Sequence, residues 1–139
     1  SIHQALDLIE NRRAVWQRQE FVLAHGDPHE YNTLAVSNEQ AGDYRLVDPD
    51  GMVFEAAYDL GILLRNWIDT YRQADPAGEL LRRAIWLSEE TAVEKNAIIS
   101  WGLVEIVSTG IHLAELGYVG EAKDYLQLGE AVATRLPQM

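Results

Sequence analysis

Residues His25-Gly26-Asp27-Pro28-His29-Glu30-Tyr31-Asn32 gather proton-accepting and metal-ligating groups directly behind the apolar run Val22-Leu23-Ala24. His25, Asp27 and Asn32 stand as His-x-Asp followed five residues later by Asn, an arrangement suited to phosphoryl transfer. In such a site the Asp carboxylate accepts the proton of an attacking hydroxyl, and the Asn amide oxygen binds magnesium. A second metal-binding Asp belongs beyond a hairpin, and Asp48 follows Asn32 by sixteen residues, at the head of Asp48-Pro49-Asp50-Gly51. Magnesium takes hard oxygen ligands and keeps several waters, so one carboxylate and one amide from the protein suffice. A transferred phosphoryl group needs charge neutralisation and in-line positioning more than covalent help. Asp27, separate from the metal ligands, is then free to orient a substrate hydroxyl.

Each piece has a plainer reading. Gly-Asp-Pro and Asp-Pro-Asp-Gly have the residue types of tight turns, and a lone histidine is usually structural. The conjunction outweighs these readings, because the motif, a hairpin-length gap, an Asp-initiated turn and an Asp-Leu helix start occur in the required order. A rival is a metal hydrolase, with His25, Asp27 and His29 alternating along a strand as ligands. Gly26-Asp27-Pro28 argues against a regular strand there, and His3 and His112 lie in helical patterns.

The elements that must position these groups divide near Asp59. Ile2 to Arg18 reads as a first helix, with Ala5, Leu8, Ile9 and Val15 or Trp16 near one face. Phe21 to Ala24 reads as a short strand or extended run. Thr33 to Val36 and Tyr44 to Val47 read as two strands joined by the polar turn Ser37 to Asp43. Beyond Asp59, Leu60, Leu63, Leu64, Trp67, Ile68 and Tyr71 form one apolar stripe, and Asp75-Pro76 stops that helix and opens the next. A long buried helix marked by Ala97, Trp101, Val104, Val107, Ile111 and Leu116 ends near Gly117. Ala122, Tyr125, Leu126, Gly129, Val132, Ala133 and Leu136 mark a final helix. One small hairpin and about five helices make a mostly helical α+β domain. Trp16, Trp67, Trp86 and Trp101 fall at helical spacings and are expected in packing between helices. Arg82 and Arg83 read as a solvated helix face.

At these residues the chain resembles the C-terminal lobe of the aminoglycoside phosphotransferase and choline-kinase-like family, small-molecule kinases related in fold to protein kinases. The resemblance rests on LAHGDPHEYNTL (Leu23 to Leu34), LVDPDG (Leu46 to Gly51) and YDLGILLRN (Tyr58 to Asn66), roughly a third of the chain. The DPDG-then-EAAYDLG form looks most like the branch of streptomycin-type aminoglycoside 6-phosphotransferases. The resemblance implies Asp27 as catalytic base, Asn32 and Asp48 as magnesium ligands, and ATP as phosphoryl donor to a small-molecule hydroxyl, an antibiotic-resistance activity. It implies that His25 holds the loop in shape and that Asp59 anchors the loop backbone. His29 and Glu30 lie inside the loop, where their side chains would face substrate. Asp50 falls where the family tolerates other residues.

A kinase of this kind also needs an N-terminal lobe, with a turn over the nucleotide phosphates and a Lys reaching them. Here Lys95 and Lys123 are the only lysines, both behind the motifs, and the first glycine is Gly26. The expectation is therefore that residues 1–139 are the catalytic and substrate-binding lobe alone. The N-terminal lobe is the missing partner, and the isolated chain would be inactive. A non-catalytic binding module derived from such a lobe is the alternative, against which the intact Asp27, Asn32 and Asp48 speak.

Composition narrows the classes further. The 139 residues are 47% hydrophobic and 24% charged, as in globular domains. Eleven Lys and Arg against 22 Asp and Glu give a formal net charge of -11, which disfavours nucleic acid and anionic membrane surfaces as partners. No cysteine is present, which removes disulfides, thiolate metal sites and thiol catalysis. The N-terminus carries no signal-like segment, and Ile98 to Leu116 holds Glu105 and His112, so it reads as a buried helix in a cytoplasmic protein. Glu89, Glu90, Glu94, Glu105 and Glu115 could attract a cationic substrate, but most are expected as ordinary solvated surface.

Overall fold

The computed structural model describes residues 1–36, 42–66, 68–71 and 75–136. Five α-helices carry the fold: α1 (Ile2–Val15), α2 (Ala56–Arg65), α3 (Pro76–Thr91), α4 (Lys95–Glu115) and α5 (Val119–Arg135). Between α1 and α2 run four short strands, β1 (Val22–Ala24), β2 (Thr33–Ala35), β3 (Tyr44–Leu46) and β4 (Met52–Phe54). They form two antiparallel pairs, β1 with β4 and β2 with β3. The mostly helical α+β class expected from the sequence is the observed one, and the hairpin lies where the strand pattern put it, with Thr33 opposite Leu46 and Ala35 opposite Tyr44. The turn joining its strands falls largely on residues 37–41, outside the described residues, as does Trp67.

The second pair was not expected. Met52–Phe54 is too short to show alternation, and it becomes a strand by pairing with Val22–Ala24. The first helix ends at Val15, three residues early, where Trp16 turns extended. The stripe from Leu60 to Tyr71 is also not one helix. α2 stops at Arg65, Asn66 is extended, and Ile68–Tyr71 makes a separate 3-10 turn. The break is held from both sides: Asn66 Nδ2 donates to Pro28 O, and the Tyr71 hydroxyl donates to Leu64 O at 2.9 Å. Asp75 caps α3 by accepting from Gly78 N, with Pro76 at the first helical position.

α4 is the axis of the core. By length and composition it could cross a membrane. Here it packs against α1, α2, α3 and α5. Its Ile98, Ile99, Leu103 and Ile106 are fully buried beside Leu64, Leu80 and Val132, each contributing about 2 kcal/mol of burial free energy. α2 and α4 approach closely enough that a Cβ on Gly61 would lie 2.7 Å from Gly102 N and 2.6 Å from Trp101 Cβ. That crossing sets Arg65 on α2 level with Glu105 on α4. An aromatic cluster of Trp16, Phe21, Phe54, Tyr58 and Trp101 ties α1 and β4 to the same crossing. The Glu55 carboxylate accepts from Arg12 and from the Trp16 indole, which fixes the junction between β4 and α2.

Trp86 departs from its expected packing role. It is 58% exposed on α3 and lines an apolar groove of about 730 Å³ with Leu63, Tyr44 and Leu46. Arg83 is not simply solvated: its guanidinium lies 4.8 Å from the Tyr71 ring centre and donates to Thr70.

Candidate active site

The two strand pairs share a middle. Residues 25–32 connect β1 to β2, and residues 47–51 connect β3 to β4, so both loops lie between the ladders. Val47 N donates to Asn32 O at 2.9 Å, extending the β2–β3 ladder by one rung, and Gly51 N donates to His25 O at 3.2 Å. The sequence therefore folds Asp48 back beside Asn32, although sixteen residues separate them.

The loop backbone is pinned at its start. Asp59, in the first turn of α2, accepts from His25 N at 2.6 Å and from Gly26 N at 2.9 Å. The His25 ring bridges the two loops: Nε2 lies 2.9 Å from Val47 O, and Nδ1 accepts from Asp27 N at 3.3 Å. Those partners fix the tautomer with its proton on Nε2. Gly26 sits at φ +92°, and a Cβ there would lie 2.8 Å from Asp50 Cβ. Only glycine takes that conformation at little cost, and it breaks the strand alternation that a His25–Asp27–His29 metal site requires. Among the described residues, no three His, Asp or Glu side chains come together as a metal-ligand set. Both His25 ring nitrogens are taken by backbone groups, which speaks against that ring as a metal ligand of a hydrolase site.

Asp27 is half-exposed and held at both oxygens. Oδ1 accepts from Arg65 Nη2 at 2.9 Å, and Oδ2 lies 3.1 Å from His29 Nε2. His29 Nδ1 accepts from Tyr31 N, so Nε2 carries the ring proton and donates to Asp27. The His29 ring is thus directed at Asp27, and Glu30 lines the apolar groove beside Pro28 and Thr33. Asn32 Nδ2 donates to Asp27 O at 3.0 Å, which orients the amide and leaves Oδ1 available. Asp48 holds a left-handed conformation, φ 57°. Its carboxylate has no hydrogen bond or ion pair among the described residues. An amide oxygen and a carboxylate on adjoining loop ends are hard oxygen donors of the kind magnesium takes, so the residues present fit that ion.

Arg65 and Glu105 were missed by sequence reasoning. Glu105, expected among solvated acidic residues, is 9% exposed. Its Oε2 lies 3.1 Å from Arg65 Nη1, and its charge acts on the nearby Tyr58 hydroxyl. Burial pushes the Glu105 carboxyl up from its ordinary range, while Arg65 pulls it back. Burial and then the Glu105 charge push Tyr58 up to about 12. Glu89, Glu90, Glu94 and Glu115 are exposed, as is His112. A signal for the pair existed: each is a lone charge in an apolar helical run, and a buried charge requires a partner.

A family model described as aminoglycoside/hydroxyurea antibiotic resistance kinase matches residues 5–117. No curated protein and no solved structure matches the chain.

Proposed function

We propose, from the premise that this chain belongs to the aminoglycoside/hydroxyurea antibiotic resistance kinase family, that it carries the base, metal ligands and acceptor side of an ATP-dependent phosphotransferase. The acceptor is a hydroxyl of a small polar molecule, aminoglycoside-like by resemblance. The observation that carries this reading is the placement of Asp27 between Arg65 and His29, with Asn32 Oδ1 and Asp48 on the adjoining loop ends.

Asp27 takes the acceptor's hydroxyl proton as the hydroxyl oxygen bonds to the γ-phosphorus and the bond to the β–γ bridging oxygen breaks. Asn32 Oδ1 and the Asp48 carboxylate are the atoms that would hold magnesium, which neutralises charge on the nucleotide phosphates when bound. His25 and Asp59 keep the loop backbone in the shape that presents Asp27 and Asn32 together. His29, by donating to Asp27 Oδ2, orients the carboxylate. The acidic balance of the chain agrees with a nucleotide that arrives with bridging cations. On this reading the protein acts in the cytoplasm on a small molecule, with neither nucleic acid nor membrane as partner.

The test is transfer from magnesium ATP to streptomycin and to hydroxyurea by the complete protein, with the product identified by mass. Asp27→Asn is expected to lower kcat by at least about a hundredfold with little change in ATP affinity. Asp48→Asn is expected to weaken magnesium-nucleotide binding as well as the rate. Near-normal turnover in Asp27→Asn removes Asp27 from the base role. Nucleotide binding without transfer to any hydroxyl would favour a non-catalytic binding module.

A further inference from the structure

Glu105 sits in the middle of the most apolar helix, where a leucine or methionine would pack at lower cost. A carboxylate taken out of water loses several kcal/mol of hydration, and a buried ion pair seldom returns more than that. Stability alone therefore does not account for it. Its partner is specific: Arg65, in the last turn of α2, donates to it at 3.1 Å. The other end of the Arg65 guanidinium reaches Asp27.

We infer that Glu105 is a positioning residue for the transfer reaction, holding Arg65 so that it engages only one oxygen of Asp27. The inference rests on Asp27 being the base. A guanidinium is a planar fork that pairs two-pronged with a carboxylate whenever its geometry is free. In this chain Nη1 is taken by Glu105, and Nη2 alone meets Asp27 Oδ1. Oδ2 is left to His29 Nε2, so two donors from different elements together set the plane of the Asp27 carboxylate. Without Glu105, Arg65 is free to pair with both Asp27 oxygens, which displaces His29 from Oδ2 and turns the carboxylate out of the orientation that the two donors set.

The experiment compares Glu105→Leu and Glu105→Gln with the unaltered protein. One readout is the Arg65 side-chain nitrogen and Asp27 carboxyl-carbon NMR signals of the chain. The other is release of phosphate from magnesium ATP to water by the complete protein, a reaction that needs no identified acceptor. In Glu105→Leu the Arg65 and Asp27 signals are expected to shift while the amide spectrum stays folded. Phosphate release should fall at least about tenfold at little-changed KM for ATP. Glu105→Gln keeps an oxygen acceptor for Nη1, so it should retain most of the Arg65 signature and most of the rate. Unmoved Arg65 and Asp27 signals in Glu105→Leu overturn the inference. So does loss of the Arg65 signature in either variant while kcat holds, and the glutamine variant supplies that comparison if the leucine variant does not fold. Asp27→Asn in the same assay separates the two readings. If it leaves the rate intact, the base assignment fails. If it abolishes the rate while Glu105→Leu does not, only the positioning role fails.

Discussion

Arg65 Nη2 meets Asp27 Oδ1 at 2.9 Å across 38 residues of chain. The loop carboxylate is therefore tied to the last turn of a helix whose own position is fixed by close packing on α4. A loop held only by its own turns would let this carboxylate rotate.

Replacing Arg65 by methionine leaves Glu105 buried without its counter-charge and Asp27 without one of its two donors. Leaving a buried ion-pair partner uncompensated costs about 3 kcal/mol. Urea unfolding of Arg65→Met should show that loss. Arg65→Lys should restore only part of it, because an ammonium cannot span Glu105 and Asp27 as a planar fork does. A methionine variant as stable as the original would mean that the pair is solvated in solution.

Asp59 satisfies two backbone N–H groups at once, those of His25 and Gly26. Asp59→Ala leaves both without acceptors in a half-buried turn, with an expected loss of about 2–4 kcal/mol. Amide exchange reads this directly, since the His25 and Gly26 amides should lose protection before those of α4. Asp59→Asn keeps one acceptor oxygen and should fall between. Unchanged exchange at both amides would show that the loop start is held by other contacts.

At Gly26 the backbone and the space agree. The φ of +92° is strained for any residue with a Cβ, and that Cβ would meet Asp50 Cβ at 2.8 Å. Gly26→Ala should cost about 1–3 kcal/mol and shift the Asp48–Gly51 loop, visible as amide shifts across residues 48–51. Gly117, with φ +87° and open space around it, is the control. Alanine there bears only the backbone cost, and shifts should stay local.

The local part of the site was legible because its logic is local. His25, Asp27 and Asn32 lie in one short loop, and a hairpin of the expected length returns Asp48 to it. Arg65 and Glu105 were not read as partners, because the α2–α4 crossing that joins them depends on Gly61 and Gly102, which carry no periodic signal. The apolar stripe past Arg65 likewise could not reveal that Asn66 leaves the helix to bond Pro28 O. Trp86 misled for the opposite reason: helical spacing places a residue on a face but does not say that the face is covered.

The burial of Tyr58 near the Glu105 charge gives the stability a defined alkaline dependence. The Tyr58 hydroxyl is pushed from 10.0 up to about 12, first by burial and then by the Glu105 charge. Between those values the unfolded chain releases the tyrosine proton and the folded chain keeps it. The folded state then binds more protons, so stability falls as pH rises through this window and is fully present below it. Tyr71 and Tyr125 are raised by burial and act in the same direction, so the Tyr58 share requires a difference. Tyr58→Phe keeps the ring packing and carries no titrating hydroxyl. The stability gap between the unaltered chain and Tyr58→Phe, measured by urea unfolding, should be constant up to about pH 9 and narrow toward about pH 11. A gap that stays constant throughout would mean that Tyr58 ionises as freely in the folded chain as in the unfolded one, and that neither burial nor the Glu105 charge holds its proton.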